Sequence, residues 1–437
     1  MNAFITVLFA LLLATSAAAQ ADAEAANAEV ANADTDNAET GNAAADAPAF
    51  GGAPAGLDAG EESPLRITLA QELSYKVERP DAWVKNRTSA QLEYSRYFAK
   101  QFFAQVNAKT TAFLAQDHRH QEGFDTVVSQ AYLQTSFGHT SVRAGVQTLP
   151  WGESILAPIT DEVSPRDNRE LFNFNLDELR VGQFMLTVDQ FSDSSRWSFF
   201  FTPRASFNEN PGRESAYFFD PSVYRHAIGG DAGRYETGVS WKKSFTSSDF
   251  TLMAASLLDN EYARRLSWFG VARERTRIGL FGMSFNRAFG SFLVRGEAAL
   301  KTGKPFTDAA FQIVERDAVD AYLALEYAPS TSLTMSLEAV NQHIVHRGED
   351  IGMPRDRRSL LVNVTKRLLH DDLSINFLGF YNLPDESLLG MLMSSYKLND
   401  NWSLGFNVAY PYARRDSSGL WQVRDQKQAI FRLQYQF

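Results

Sequence analysis

The chain has 437 residues, no cysteine, 33 Phe, 15 Tyr and a formal net charge of -10. Without cysteine there is neither a disulfide framework nor thiol chemistry. Beyond residue 19 no apolar run reaches the ~18 residues of a membrane-crossing helix. That excludes a helical membrane protein but not a barrel, whose strands show lipid only every second residue.

Residues 1–19, MNAFITVLFALLLATSAAA, read as a secretory signal peptide, with an apolar stretch over 4–14 and an A-x-A site at Ala17-Ala18-Ala19. The amino-terminal region is atypical in lacking Lys and Arg. No Cys follows the cleavage site, which excludes a lipoprotein. Residues 20–64 are rich in Ala, Asn, Asp and Gly and hold ten acids (Asp22, Glu24, Glu29, Asp34, Asp36, Glu39, Asp46, Asp58, Glu61, Glu62) without one Lys or Arg. This segment carries the whole net charge. Low hydrophobicity with like charge predicts a disordered acidic periplasmic tail. It is read as a spacer, with docking to a basic partner as the alternative.

From Arg66 onward the hydrophobic period is two. Over 101–114 one face is Phe102, Ala104, Val106, Ala108, Thr110, Ala112 and Leu114, and the other is Phe103, Gln105, Asn107, Lys109, Thr111 and Phe113. In a strand these sets point to opposite sides, one suited to lipid and the other to a wet lumen. The pattern recurs over 66–78, 291–301, 332–342, 402–410 and 429–437. In the last, Phe431, Leu433, Tyr435 and Phe437 form an aromatic terminus of the kind that signals barrel assembly. Residues 250–258 and 388–398 alternate poorly.

Connection lengths are bimodal. Short ones fall at 99–100, 138–139, 192–194, 246–248, 289–290, 329–331, 370–371 and 399–401. Long ones fall at 79–86, 115–125, 148–182, 204–232, 259–275, 304–318, 344–357, 382–387 and 413–426. Short periplasmic turns alternating with long external loops are the signature of an antiparallel transmembrane β-barrel over 65–437. The connections join 18 strands, with 16 as the alternative, and an even count leaves both termini in the periplasm. Phe98, Phe102, Phe137, Phe191, Trp197, Phe245, Phe250, Phe289, Phe292, Tyr327 and Trp402 cluster at the short turns, where an interfacial girdle belongs.

A barrel this wide leaves an aqueous channel unless something fills it. The loop 148–182 mixes apolar anchors with charge, and a loop facing only water would not need so many apolar groups. It is expected to fold into the barrel and constrict it through Trp151, Gly152, Glu153, Asp161, Glu162, Arg166, Asp167, Arg169 and Glu170, whose opposed charges set ion preference. The alternative is an external lid. Inward strand faces offer Lys109, Arg143, Arg295, Glu297, Glu326, Glu338 and Arg432 as lumen-lining groups, with nearly balanced signs. The loop 208–232 brings Arg213, Phe218, Phe219, Tyr224, Arg225 and His226. Arg273, Arg275 and Arg277 are candidates to bridge lipopolysaccharide phosphates. His118, His120, His343 and His346 lack the carboxylate or Cys neighbours of a metal site, and no catalytic motif is present. No metal, cofactor or nucleic acid is implied.

The segments 130–134 (QAYLQ), 141–147 (SVRAGVQ), 151–154 (WGES) and 163–167 (VSPRD) resemble a large proteobacterial outer-membrane family of unknown function with porin-like members. Ser164-Pro165 stands where that pattern has Asn-Pro. The resemblance implies an outer-membrane channel or export partner, associated with inner-membrane transport systems, and marks Trp151, Gly152 and Glu153 as opening the long loop. The sequence thus predicts an outer-membrane channel for small polar or amphiphilic solutes and not an enzyme. Its expected partners are the outer membrane with its lipopolysaccharide, the barrel-assembly machinery and a periplasmic or inner-membrane transport partner. The competing readings are a sealed structural or export component and, more remotely, a hydrolase.

Overall fold

The computed structural model describes residues 63–437 apart from 80, 99–100, 115–122, 155–158, 174–175, 212–214, 216, 218–227, 230–232, 262, 268–269 and 311. The expected signal peptide and all but the end of the acidic segment therefore lie outside the described residues, as do His118, His120, Arg213, Phe218, Phe219, Tyr224, Arg225 and His226.

Strands dominate the rest. They are β1 (Leu65–Lys76), β2 (Ala82–Phe98), β3 (Phe102–Phe113), β4 (Phe124–Phe137), β5 (Thr140–Gln147), β6 (Gln183–Ser192), β7 (Ser195–Thr202), β8 (Ile228–Gly229), β9 (Glu236–Phe245), β10 (Ser248–Leu258), β11 (Ala263–Ser267), β12 (Gly270–Glu274), β13 (Arg277–Phe289), β14 (Phe292–Thr307), β15 (Ile313–Ser330), β16 (Leu333–Ile344), β17 (Asp356–Leu368), β18 (Leu373–Leu383), β19 (Ser387–Lys397), β20 (Trp402–Ala413) and β21 (Gln428–Gln436). Eighteen of them form one sheet. β8, β11 and β12 make a separate three-stranded sheet within the connections.

Each strand of the large sheet pairs antiparallel with its neighbours, and β1 pairs with both β2 and β21. In the closing pair Leu69 faces Tyr435 and Leu73 faces Phe431. Closure leaves no edge, so every backbone group within the wall can be paired away from water, as a lipid environment demands.

The period-two pattern sorts the faces. Leu133, Phe184, Phe199, Phe281, Leu323 and Leu337 stand exposed on the outside, which is the lipid-facing band of such a barrel. Phe98, Phe102, Phe137, Phe191, Trp197, Phe245, Phe289, Phe292, Tyr327 and Trp402 are also exposed, beside the short turns. Phe292 stacks on Tyr327 with centroids 4.6 Å apart, and Phe289 on Phe292 at 5.7 Å.

Seven of the eight expected short turns join consecutive strands where expected; the eighth, 99–100, lies outside the described residues. Four long connections, 79–86, 304–318, 344–357 and 382–387, are shorter than expected by three residues or more. β2 begins at Ala82 rather than after 86, and β14 and β15 continue to Thr307 and back from Ile313, so that 304–307 pairs with 313–316. These strand ends project past the apolar band, where hydropathy stops reporting on pairing.

Candidate functional site: the inserted loop and the passage beside it

The connection 148–182 between β5 and β6 folds inward as two lobes. Backbone bonds to side chains close the first, residues 149–164: Leu149 N donates to Ser164 Oγ at 2.7 Å and Trp151 N to Asp161 Oδ1 at 3.1 Å. The second, residues 165–181, is closed by Asp167 N to Leu179 O and Val181 N to Pro165 O, both at 2.8 Å. It carries a single helical turn, Leu176–Leu179. Asp161 joins the lobes: its Oδ2 also accepts from Arg180 at 2.9 Å and Arg166 at 3.4 Å.

The first lobe is packed into one side of the lumen. Trp151, Ile159 and Val163 form a core with the wall residues Met185, Phe200, Met253, Leu257, Ile278 and Leu280. The Trp151 ring meets Phe200 edge-on at 5.4 Å. This explains the poor alternation over 250–258: Met253 and Leu257 face inward yet meet an apolar lobe instead of water. The loop's backbone donors are met by a wall carboxylate. Glu297 of β14 accepts from Thr160 Oγ1 at 2.8 Å, from Thr160 N at 3.3 Å, and from the amides of Glu153 and Ser154. Gly152 sits in this cradle at φ +91°, and a Cβ there would lie 2.6 Å from Glu297 Oε2. Lys301 bridges Glu162 at 2.5 Å and Asp320 at 2.8 Å. Burial alone would raise the Glu162 pKa, but Lys301 and Lys304 bring it below the usual carboxylate range.

The second lobe reaches the wall of β1–β4 and β21. Glu170 pairs with Lys85 at 2.5 Å and Arg87 at 3.0 Å. Glu178 pairs with Lys109 at 2.8 Å and Arg432 at 3.7 Å. Burial pushes the Glu178 carboxyl up, but Lys109 and Arg432, with hydrogen bonds from Lys109 and Asn173, bring it down to about 2. Arg169 binds Asp125, Asp167 and Glu209 at 2.9, 2.6 and 2.9 Å. Phe172 packs edge-on against Tyr217 at 5.5 Å in a core with Val84, Leu389, Met391 and Ile430. The inward Leu389 and Met391 again explain the broken alternation over 388–398. Burial raises the Tyr217 hydroxyl to about 12 against the pull of Lys85, and it donates to Gln428 Oε1 at 2.9 Å.

Between this lobe and the wall lies a cavity of about 270 Å³. The wall side is Glu72, Lys85, Arg87, Gln91, Asn107, Lys109 and Arg432, and the loop side is Asp167, Arg169, Glu170, Phe172, Glu178 and Arg180. A second cavity of about 270 Å³ is lined by Glu93, Gln105, Asn107, Ser129, Gln130, Thr148 and Arg180. Asn107, Ser129 and Arg180 line both, so the two cavities adjoin and together mark out a polar track along the β2–β4 wall. Six bases and five acids line the upper cavity, so its field is transverse and not of one sign.

The expected site residues separate into two groups. Asp167, Arg169, Glu170, Lys109 and Arg432 line the track. Trp151, Gly152, Asp161, Glu162 and Arg166 hold the loop, and Glu153 turns to the wall, where its carboxylate accepts from Asn286 at 3.0 Å. Of the remaining wall groups, Arg143 pairs with Asp189 at 3.4 Å. Arg295 lies between Glu326 at 3.4 Å and Glu338 at 3.6 Å. Sequence reasoning missed Lys85 and Arg87 as track residues. Lys85 and Arg87 were assigned to a loop margin because β2 begins earlier than its hydropathy indicates. Of the basic candidates in 267–277, Arg275 stacks over Phe207 at 3.9 Å and Arg277 donates to Tyr235 O at 2.9 Å. His343 pairs with Asp356 at 2.8 Å. Among the described residues no group of three His, Asp or Glu is placed to hold a metal ion.

A closed 18-strand antiparallel barrel with a loop folded inward is a fold shared with solved outer-membrane porins. The chain belongs to the family described as protein of unknown function (DUF1302), whose model matches residues 3–367. Solved porin structures share the fold. Acinetobacter baumannii OccAB4 superposes with a TM-score of 0.52 at 10% identity, covering 85% of this chain and 97% of that one. Pseudomonas aeruginosa OccD3 (OpdP) gives 0.52 at 12% identity, over 86% and 90%. Pseudomonas aeruginosa OpdK with vanillate gives 0.51 at 11% identity, over 85% and 98%. No curated protein matches the sequence.

Proposed function

We propose that this chain is an outer-membrane channel passing small polar and amphiphilic solutes along an off-centre track, with the loop 148–182 as its constriction. One observation carries the proposal. The loop fills the β7–β15 side of the lumen with an apolar core but meets the β1–β4 wall through charges that border two adjoining polar cavities. A sealed barrel would be packed on both sides. The track also suits amphiphiles, because Phe172, Met393 and Ile430 line it beside its bases. Vanillate, held by the OpdK structure, has that character, an aromatic ring bearing a carboxylate.

Planar-bilayer recording tests this reading. The full chain conducts, and deleting 152–175 enlarges the unit conductance. Equal conductance in both proteins overturns the constriction, and no conductance in either favours the sealed structural component.

A further inference from the structure

We propose that Lys85, Arg87, Lys109 and Arg432 form an anion site on the inner wall for which Glu170 and Glu178 of the inserted loop stand in, and that amphiphilic organic carboxylates pass by exchanging with them. The proposal rests on the channel reading above.

The charges are divided by element. The four cations belong to β2, β3 and β21, which with β1 are consecutive around the wall. The two carboxylates come from the second lobe of the loop. Each spans a pair of cations, Glu170 at 2.5 and 3.0 Å and Glu178 at 2.8 and 3.7 Å. Arg432 is incompletely used: its Nε is buried and donates to nothing, and its nearest carboxylate contact is the longest of the four. A guanidinium offers five donors in a planar fork suited to bidentate carboxylates, so this corner has unfilled capacity for an anion.

The lobes differ in what holds them. The first is fixed by apolar packing and by Glu297, neither of which a solute can replace. The second meets this wall through ion pairs and Phe172. An arriving carboxylate replaces one ion pair by another, whereas a neutral solute would leave desolvated cations without partners, which is costly. Glu72 stays on the wall, 3.3 Å from Lys85, and keeps that cation paired in either state. Phe172, Met393 and Ile430 border the same cavity and give the apolar part of such a solute a surface to rest on.

The test is liposome swelling by the purified full chain with N-acetylphenylalanine and with its uncharged amide, which share one ring. Glu178→Gln and Glu170→Gln, singly and together, raise the rate for the carboxylate several-fold, leave the amide unchanged, and shift the reversal potential in a salt gradient toward anions. Lys109→Gln and Arg432→Gln slow the carboxylate selectively. Equal acceleration of both solutes means that the loop merely loosens, and overturns the exchange site. Unchanged rates in every variant of a wild type that passes both solutes also overturn it, while leaving the channel reading intact. A wild type that passes neither overturns the channel reading itself.

Discussion

Thr160 of the inserted loop and Glu297 of β14 meet at 2.8 Å, hydroxyl donating to carboxylate, and the same carboxylate takes the Thr160, Glu153 and Ser154 amides. One wall side chain thus satisfies four donors of a segment that has no strand or helix to pair with. Glu297→Ala leaves them without that acceptor, at roughly 1–3 kcal/mol for each donor left buried and unpaired. The sheet does not depend on this contact, so the barrel persists while the first lobe is released. Limited proteolysis should then cut within 149–164, and unit conductance should rise and become noisier. Protection and conductance equal to wild type would refute the latch.

Gly152 works in the same cradle. Its φ of +91° is costly for any L side chain, and a Cβ would press on Glu297 and Thr160. Gly152→Ala combines backbone strain with loss of the latch geometry, a cost of about 1 kcal/mol or more. The expected result is the Glu297→Ala phenotype in weaker form. In the double variant the two effects should be less than additive, because they act on one contact.

The barrel was legible because its rule is local. Alternation fixes which side each residue faces, and turn lengths fix the direction of each strand. The rule breaks down visibly over 250–258 in β10 and 388–398 in β19, and both failures have one cause. Met253 and Leu257 on one strand, and Leu389 and Met391 on the other, are apolar on the inward face because an inserted lobe covers them. Broken alternation in a barrel strand is therefore itself a sign of a plugged wall. The loop's apolar content pointed inward, but the sequence does not say which wall each lobe meets. The pairs Glu170 with Lys85 and Glu178 with Lys109 join positions 85 and 69 residues apart, and no local pattern encodes such distances. Ser164, in place of the Asn of the resembling pattern, still serves the turn by accepting from Leu149 N.

Lys301 is almost wholly buried between Glu162 and Asp320. Lys301→Met leaves two buried carboxylates without their common counterion, a loss on the order of 3–5 kcal/mol. Thermal unfolding in detergent should show a clear fall in midpoint. Adding Glu162→Gln should recover part of it, since one uncompensated charge is then removed. No recovery would mean that Glu162 does not depend on Lys301.

The pH response of the second lobe follows from Glu178. Its carboxyl lies at about 2 when folded against an ordinary 4.5, because Lys109 and Arg432 outweigh the effect of burial. A depressed folded pKa gives stability that is complete above 4.5 and is lost as pH falls through the folded value. Conductance should therefore stay flat from neutral pH down to 4.5 and rise only as pH approaches 2. In Glu178→Gln the rise assigned to this carboxylate should be absent. A wild-type transition centred near the ordinary carboxylate value would show that the ion pair is not formed in the membrane.

Deleting Phe437 is expected to separate stability from assembly. Its amide donates to Ile67 O at 2.9 Å, its ring meets Tyr435 edge-on at 4.7 Å, and it is largely exposed on the outside. Deleting it removes one backbone bond, worth about 0.5–1.5 kcal/mol, from a closing pair that otherwise runs from Thr68 with Gln436 to Lys76 with Gln428. The assembled barrel should therefore unfold close to the wild-type temperature. If the aromatic terminus is read by an assembly machinery, the amount of folded barrel recovered from cell envelopes should nevertheless fall severely, and Phe437→Tyr should restore it. A fall in yield matched by an equal fall in thermal midpoint would assign Phe437 to the wall alone.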